Sequence, residues 1–367
     1  MSLEFLEFSR SELRDEYLRR TDAPWIIGYS GGKDSTLVTH LVFEMLLCLP
    51  RSDRKRAVHI VGNDTLVESP LLAAHFRSSV ARIADAAESL RLPVTCTVTT
   101  PKPEQTFWVN VIGRGYRPPT RIFRWCTERL KIDPTSGHIR LLVSVAGHSI
   151  LLLGVRSDES KARAESIARH GSERLNPHSD LKGCLVFRPI LHWTTDEVWG
   201  YLLQNTAPWG GKHRNLVTLY KNANGECPLV IDKSAAAGCG TSSSRFGCWT
   251  CTVVDKDKSG EALADAGHAG YDELLEFRDW LKSLPENLDN RQLERRNGKV
   301  EFLDDGRVMR GPFTMQVREQ ILNRLLVMQD KTKLPLISEA EILLIKRLWA
   351  EDCINAVQRR LPVLEQQ

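Results

Sequence analysis

The chain has 367 residues, of which 42% are hydrophobic and 26% charged, and its formal net charge is +4. This balance is typical of a folded soluble protein and excludes a disordered or membrane-embedded chain. A single hydrophobic core rarely grows beyond roughly 250–300 residues, so we expect more than one unit.

The first twenty residues mix charged and apolar side chains and lack the continuous apolar core of a secretory signal. The longest apolar stretch, residues 141–155, is too short to cross a bilayer. We therefore expect a cytoplasmic protein with no membrane contact. Its nine cysteines are better explained by metal ligation or thiol chemistry than by disulfides.

Strands and helices are predicted to alternate in the first half of the chain. Strand-like runs occur at 25–29, 58–61, 94–99 and 150–155, with helical periodicity after the first run and at 71–90. This alternation predicts an α/β fold with a parallel sheet and helices on both faces. We expect four regions, which are an N-terminal helix (1–23), an α/β domain (24–205), a loop-rich cysteine region (206–260) and a helical C-terminal region (261–367).

A loop of small residues joins the first strand to the first long helix of the sheet. Such a loop brings backbone N–H groups close to phosphate oxygens, and the helix directs its positive end at the same anion. The spacing differs from a Walker A loop. It resembles the SGGxDS signature of PP-loop ATP pyrophosphatases, which implies that ATP is bound by Ser30, Gly31, Gly32, Lys33, Asp34 and Ser35.

Three further segments are similar to the phosphoadenylyl sulfate reductase branch of that class, which has a Rossmann-like (HUP, adenine nucleotide alpha hydrolase-like) fold. The segments are 62–68, 154–163 and 188–202. Taken singly, their polar residues are also compatible with turns and surface ion pairs. The resemblance implies nucleotide binding by Asp64, Thr65, Glu68, Gly154, Arg156 and Glu159, and stabilisation of phosphate charge by Lys33, Arg156 and Arg163.

Cys126 lies in the segment Arg124–Lys131, which resembles the family's RxCxxxLK element. Neighbouring basic side chains favour a reactive thiolate, so Cys126 is a candidate for sulfur handling. A buried, inert cysteine is the alternative. The remaining isolated cysteines, Cys48, Cys96, Cys184 and Cys353, are expected to be core residues.

Four cysteines concentrate in a stretch rich in Gly, Ser and Asn. They are Cys227, Cys239, Cys248 and Cys251, and the last two form a Cys-x-x-Cys pair. Four thiolates suit an iron–sulfur cluster or a zinc site, and a metal-free dithiol is a further alternative. The segments 238–240 and 245–251 resemble the DNA phosphorothioation sulfurtransferases of the Dnd and Ssp systems, which implies a [4Fe–4S] cluster.

That resemblance implies an activity. ATP would adenylate a DNA backbone phosphate with release of pyrophosphate, Mg²⁺ would bridge the triphosphate beside Asp34 or Asp64, and sulfur would come from a cysteine desulfurase within a set of phosphorothioation proteins. Basic segments at 51–56, 114–129 and 291–299 are candidates for DNA contact, the second with aromatic residues at 116, 123 and 125.

Three other functions fit parts of this pattern. A phosphoadenylyl sulfate reductase would share the loop, but the C-terminal residues 361–367 contain no cysteine. A tRNA thiolase with a cluster would share both the loop and the sulfur chemistry. The third alternative is a non-catalytic scaffold or sensor with a structural metal site, which would bind ATP without turning it over.

Overall fold

The structure is a computed structural model that describes residues 3–19, 22–157, 174–223 and 247–364. The strands are β1 (Trp25–Gly28), β2 (Val58–Asn63), β3 (Val94–Thr99), β4 (Ser149–Leu152), β5 (Leu175–Pro177) and β6 (Cys184–Phe187). The helices are α1 (Leu3–Leu18), α2 (Lys33–Cys48), α3 (Pro70–Ser89), α4 (Trp125–Thr127), α5 (Asp133–Ala146), α6 (Thr195–Gln204), α7 (Arg214–Ala223), α8 (Lys258–Asp265), α9 (Tyr271–Ser283), α10 (Met315–Thr332) and α11 (Glu339–Leu364). Short turns of 3₁₀-helix (Arg51–Asp53, Pro103–Gln105, Leu284–Glu286, Leu288–Asn290) and π-helix (Val109–Gly113, Glu128–Ile132) lie between them.

Six strands form one sheet in the order β3-β2-β1-β4-β6-β5. All neighbours are parallel except β5 and β6, which are antiparallel. The chain leaves β1 in one direction for β2 and β3, and later returns to the other side of β1 as β4. Ligands in open α/β sheets bind where the strand order reverses in this way, at the carboxyl ends of the strands.

Strand β1 is buried on both faces, as expected for a central parallel strand. Trp25 and Ile27 face one core, which includes the apolar side of α2. Ile26 faces the other core, where Ile139 of α5 covers the sheet. The mixed α/β architecture with a mostly parallel sheet and a helical C-terminal region was therefore predicted correctly.

The chain divides into two compact units. We call the first the sheet unit; it comprises Met1–Asp64, Pro70–Thr100 and Lys131–Phe246. The second, the helical unit, comprises Thr65–Ser69, Pro101–Leu130 and Gly247–Gln367. The domain boundaries expected at 23, 205 and 260 remain predictions.

An aromatic core organises the helical unit. The ring centroids of Trp108, Trp249 and Phe277 are 5.7–5.9 Å apart in each pair. Trp108 Nε1 donates a hydrogen bond of 2.8 Å to the Leu336 carbonyl, so its indole N–H is satisfied despite burial. Segments distant in sequence thus meet in this core.

Some predicted elements differ from the structure. Strand β4 ends at Leu152 rather than at residue 155, and helix α7 lies inside the stretch predicted to be loop-rich. Cys184 is buried as expected, and Cys96 is partly buried and packs against the core. Cys48 and Cys353 are exposed, so the expectation of core positions was wrong for these two. None of the helices in the described ranges has the length and apolarity needed to span a bilayer.

Candidate functional site

The glycine loop after β1 is held in shape by its own serine side chains. Gly31 has φ +74°, a conformation that side-chain-bearing residues rarely adopt. Ser35 Oγ accepts a hydrogen bond from the Ser30 N–H at 3.2 Å and donates to the Gly32 carbonyl at 3.1 Å. Gly32 is the N-cap of α2 and has no side chain to cap it. The first amides of α2 therefore lie beside the loop, where an anion binds in such folds.

Three charged side chains meet at this loop. Asp34 Oδ2 accepts from Lys33 Nζ at 2.9 Å, and Asp34 Oδ1 accepts from Arg156 Nε at 2.7 Å. Lys33 and Arg156 are buried, with relative exposures of 1% and 0%. Arg156 is also held by the Trp193 carbonyl at 3.2 Å. The two carboxylate oxygens of Asp34 thus hold two buried cations in place. The structure brings these three predicted residues together, and their roles in ATP binding remain predictions.

Gly154 follows β4 and lies against the start of α2. A Cβ at this position would be 2.7 Å from the Asp34 carbonyl carbon and 2.8 Å from the Ser35 nitrogen. Only glycine allows this approach, because both neighbours are backbone atoms. The proximity of segment 154–156 to the glycine loop was predicted from the resemblance, and Gly154 is the residue that permits it.

Tyr220 contacts the glycine loop, and this contact was not predicted from the sequence. Its hydroxyl accepts a hydrogen bond of 3.1 Å from the backbone N–H of Lys33, and its ring lies 5.6 Å from Lys33 Nζ. Trp199 packs edge-on against the ring at 5.0 Å. The signal was present in α7, since Leu216, Leu219 and Tyr220 share helical spacing.

Asp64, at the end of β2, is buried and forms an ion pair with Arg77 of α3. Its Oδ2 accepts from Arg77 NH2 at 2.8 Å and from Arg77 Nε at 3.1 Å. Its backbone N–H donates to the Thr99 carbonyl at 2.9 Å. These contacts fix Asp64 at the carboxyl end of the sheet, the edge on which nucleotide binding was predicted.

A partly buried chain of polar contacts lies in the sheet unit. Nδ1 of His40 is 3.2 Å from Nε2 of His213, and Nε2 of His40 is 3.2 Å from Glu44 Oε1. Tyr201 and Arg10 donate to the other oxygen of Glu44. Burial raises the pKa of Glu44, but the hydrogen bonds from His40 and Tyr201 outweigh it and lower that pKa to about 2.

The histidine end of this chain borders a small cavity. Burial, followed by repulsion from His40, lowers the pKa of His213 to about 4, so His213 is neutral at pH 7. The cavity has a volume of about 20 Å³ and is lined by His213, Tyr29, Thr36 and His75 among others. This volume accommodates one water molecule.

Cys248 of the helical unit contacts two residues predicted to bind nucleotide. Its Sγ lies 3.5 Å from Thr65 Oγ1 and 3.9 Å from Glu68 Oε1, and Thr65 donates to Glu68 at 3.0 Å. Residues 68 and 248 form an antiparallel β-bridge. The contacts described for Thr65 and Glu68 are thus with the cysteine segment, and their contact with nucleotide remains a prediction.

The Cys248-x-x-Cys251 pair forms a tight turn, in which the Cys251 N–H donates to the Cys248 carbonyl at 3.0 Å. Arg278 Nε holds the Cys251 carbonyl at 2.8 Å. Both thiols are partly buried. Cys-x-x-Cys pairs supply two of the four thiolates in many zinc and iron–sulfur sites.

Cys126 lies in the short helix α4 of the helical unit and is partly buried. The predicted RxCxxxLK element is divided between the units, because Lys131 belongs to the sheet unit. Its neighbour Trp125 is buried and donates to the Arg117 carbonyl at 3.1 Å. Trp125, one of the aromatic residues interleaved in the candidate DNA-contact segment 114–129, is therefore a core residue.

Several predicted site residues lie outside the described residues. They are Glu159, Arg163, Cys227 and Cys239. Within residues 3–19, 22–157, 174–223 and 247–364, no three His, Cys, Asp or Glu side chains are grouped as a metal site. The set of four cysteine ligands therefore remains a prediction. The structure describes two of its members, Cys248 and Cys251.

Comparisons with solved structures give distant similarities. The chain is 12% identical to FMN adenylyltransferase of Candida glabrata in complex with FAD and pyrophosphate, with a TM-score of 0.38 over 62% of this chain and 64% of that one. It is 15% identical to the NH₃-dependent NAD synthetase of Campylobacter jejuni, with a TM-score of 0.34 over 59% and 77%. It is 12% identical to the U34-tRNA thiolase of Methanococcus maripaludis with its [4Fe–4S] cluster, with a TM-score of 0.32 over 77% of this chain and 81% of that one. Similarity at this level carries no information about activity.

Sequence comparison gives a clearer result. An uncharacterized protein of Methanocaldococcus jannaschii is 25% identical over 186 residues, which are 51% of this chain and 32% of that protein, so the chain spans about a third of that relative. Residues 24–254, which are 231 of the 367, match the phosphoadenosine phosphosulfate reductase domain. The match includes the glycine loop, segment 154–156 and the Cys-x-x-Cys turn. The chain therefore belongs to the phosphoadenosine phosphosulfate reductase domain family.

Proposed function

We propose that the protein is an ATP pyrophosphatase and sulfurtransferase of DNA phosphorothioate modification. It would adenylate a non-bridging oxygen of a DNA backbone phosphate, releasing pyrophosphate, and then exchange that oxygen for sulfur. The observation that carries the first half is the buried group of Lys33, Asp34 and Arg156 beside the glycine loop. This group lies where the strand order of the sheet reverses, which is the place where open α/β sheets bind nucleotides.

The buried group suits a leaving pyrophosphate. Charge develops on the α–β bridging oxygen as the bond to the α-phosphorus breaks, and buried cations stabilise it more strongly than exposed ones. Asp34 holds the Lys33 and Arg156 side chains in place before ATP binds, which reduces the reorganisation needed during the reaction. Because both Asp34 oxygens are engaged by cations, we assign Asp34 to positioning. We propose Asp64, which lies at the carboxyl end of β2 and pairs with Arg77, as the carboxylate nearer to Mg²⁺. Mg²⁺ would supply further neutralisation of the triphosphate.

The second half of the reaction depends on sulfur delivery. In our proposal, the outer sulfur of a persulfide, supplied by a cysteine desulfurase, attacks the activated phosphorus and AMP leaves. That sulfur is then bonded to both phosphorus and the donor sulfur, so a second thiol must attack the donor sulfur, forming a disulfide and leaving the phosphorothioate. The two electrons come from this thiol. Cys126 remains a candidate for sulfur handling in this scheme.

The cysteine segment would hold a [4Fe–4S] cluster in this proposal. The Cys248–Cys251 turn supplies two thiolates, and Cys227 and Cys239 would complete the ligand set. A cluster would bind sulfur or transfer electrons, whereas a zinc ion on the same four thiolates would have a purely structural role. We propose the cluster because of the resemblance of residues 245–251 to phosphorothioation enzymes.

The test is a reconstitution under anaerobic conditions. The purified protein is assayed for iron and sulfide, then incubated with ATP, a cysteine desulfurase and either DNA duplex or tRNA, and AMP, pyrophosphate and phosphorothioate are quantified. We expect AMP and pyrophosphate in equal amounts, stimulated by DNA. Lys33→Met should abolish AMP formation, whereas the control Lys333→Met, at a lysine paired with Asp330 in the helical unit, should not.

Each alternative function has its own outcome in this assay. Sulfur incorporation into tRNA in place of DNA would identify a tRNA thiolase. If phosphoadenylyl sulfate and a dithiol reductant are supplied in place of ATP, release of sulfite would identify a reductase. ATP binding without AMP formation under every condition would leave a scaffold or sensor and would refute the proposal.

A further inference from the structure

Two basic segments that are far apart in sequence meet in the helical unit. The Phe313 N–H donates to the Gly115 carbonyl at 2.7 Å, and residues 291 and 313 form an antiparallel β-bridge. Arg296 NH1 donates to the Arg114 carbonyl at 2.9 Å. Segments 114–129 and 291–310 therefore form one continuous part of the unit.

Arg291 lies at the centre of the combined segments. Its guanidinium donates to the Gly311 carbonyl at 2.8 and 3.0 Å and to the Arg310 carbonyl, all of which are uncharged acceptors. Burial, followed by repulsion from Arg117, Arg295 and Arg310, lowers the pKa of Arg291 to about 10. Three other guanidinium groups are thus close enough to Arg291 to repel it.

The other segment shows the same crowding. Burial lowers the pKa of Arg114, and repulsion from Arg296 and Arg129 adds to this effect, although Tyr116 and Glu104 oppose it. Arg129 lies over the Tyr116 ring at 5.1 Å and donates to Asn110 Oδ1 at 2.7 Å. Arg117 Nε is buried and, among the described residues, has no hydrogen-bond acceptor.

The excess of positive charge is local to these segments. They hold eleven arginine and lysine residues against five aspartate and glutamate residues, whereas the whole helical unit has 24 of each sign. Within the described ranges, Arg117, Arg129 and Arg291 form no ion pair with a carboxylate. Bringing like charges together opposes folding, so a cluster of this kind is retained where an external anion can neutralise it.

We propose that segments 114–129 and 291–310 form one surface, the arginine surface, that binds the sugar-phosphate backbone of nucleic acid. Arginine forms two parallel hydrogen bonds to phosphate, and crowded guanidinium groups match a row of phosphates rather than one anion. Arg121 and Arg296 are exposed and extend the surface beyond the partly buried Arg291. Each of these two also pairs with a carboxylate, Asp255 and Asp352 respectively. The inference rests on the proposed function only for its choice of DNA as the first probe.

The test compares two double variants that remove equal charge. Arg117→Gln/Arg129→Gln changes the arginine surface. Arg324→Gln/Arg347→Gln is the matched control, because each of these arginines pairs with a carboxylate elsewhere in the same unit. Fluorescence anisotropy measures binding of a 20-base-pair DNA duplex and of a tRNA across a series of salt concentrations, and circular dichroism confirms folding.

We expect the slope of log K against log salt concentration to fall by roughly 1–2 in the surface variant, since each lost phosphate contact removes about 0.9. The control slope should be unchanged. Tighter binding of DNA than of tRNA would support DNA as the acceptor, and the reverse would keep the arginine surface but redirect its partner to RNA. Equal losses in both variants, an unchanged slope, or no binding of either nucleic acid by the wild type would overturn the inference. Failure of the proposed function would appear separately, as absent AMP formation with binding intact.

Discussion

The hydroxyl of Tyr220 occupies a position that a phosphate oxygen could use. It accepts the hydrogen bond of the Lys33 N–H, which is one of the first amides of α2. A phosphate bound in the glycine loop would need the same donor. Tyr220 and the pyrophosphate part of ATP should therefore compete for it.

Tyr220→Phe removes the hydroxyl oxygen that accepts this hydrogen bond, and it therefore tests the competition. The variant keeps the ring that contacts Lys33 and Trp199 but leaves the Lys33 N–H to the ligand. We expect pyrophosphate and ATP to bind roughly two- to tenfold more tightly, the equivalent of one hydrogen bond, and AMP to bind unchanged. Isothermal titration calorimetry measures the three affinities. Tyr271→Phe, which removes a hydroxyl bonded to Ser69, is the control and should change none of them.

The pKa of His213 predicts how stability depends on pH. The unfolded chain binds a proton to this histidine near pH 6.5, whereas the folded chain does so only near pH 4. Between these values the unfolded state holds more protons, so the free energy of unfolding rises with pH. The contribution is complete above pH 6.5 and is lost as pH falls towards 4, amounting to at most about 3 kcal/mol.

His213→Gln should remove that part of the pH dependence. Chemical denaturation at several pH values between 4 and 7 would show a flatter curve for the variant than for the wild type. The residual slope would come from carboxylates such as Glu44, whose stabilising effect disappears below its ordinary pKa of 4.5. Parallel curves for the two proteins would contradict the assignment.

At the scale of elements, the closest approach in the site is that of the β4 end to the start of α2. Gly154→Ala would place a methyl group 2.7–2.8 Å from backbone atoms of Asp34 and Ser35. We expect a loss of about 1–3 kcal/mol in stability and a severe loss of ATP binding, because the start of α2 must shift. Gly137→Ala in α5 is the matched control. It meets no atom within 4 Å and should stabilise the protein by about 0.5–1 kcal/mol.

The accuracy of the sequence predictions varied between elements for physical reasons. Strand β1 is a continuous apolar run, and strand β3 and helix α3 have strong apolar periodicity. The predicted positions of all three agree with the structure to within about a residue. Helix α7 was missed because Arg214, Asn215 and Lys221 make its composition resemble the surrounding loop. Its role at the glycine loop depends on a contact across 187 residues, which no local pattern encodes.

On the scale of the whole molecule, the proposed chemistry divides between the units. The ATP-binding residues Lys33 and Arg156 belong to the sheet unit, and Cys248 and Cys251 belong to the helical unit. The composition of the helical unit could not be predicted from sequence, since it draws Thr65–Ser69 and Pro101–Leu130 from within the α/β part of the chain. Local periodicity predicts elements but does not show which distant elements share a core.

Cys248→Ser should separate the two halves of the reaction. We expect the variant to retain ATP and pyrophosphate binding while losing iron and phosphorothioate formation, because a missing thiolate weakens the cluster and leaves Lys33 untouched. Iron analysis and calorimetry measure the two properties. Cys353→Ser, at an exposed cysteine of α11, should affect neither. Retention of full iron content in Cys248→Ser would remove this residue from the ligand set.

The discontinuous helical unit has a consequence for synthesis on the ribosome. Trp108 emerges early, but Trp249 and Phe277, which cover it, follow more than 130 residues later. At roughly 5–20 residues per second, the segment containing Trp108 waits many seconds for the rest of its core. During that interval a large apolar surface is open to solvent and to other nascent chains. The protein should therefore depend on chaperones during translation, and slowing of elongation between residues 131 and 246 should increase its aggregation.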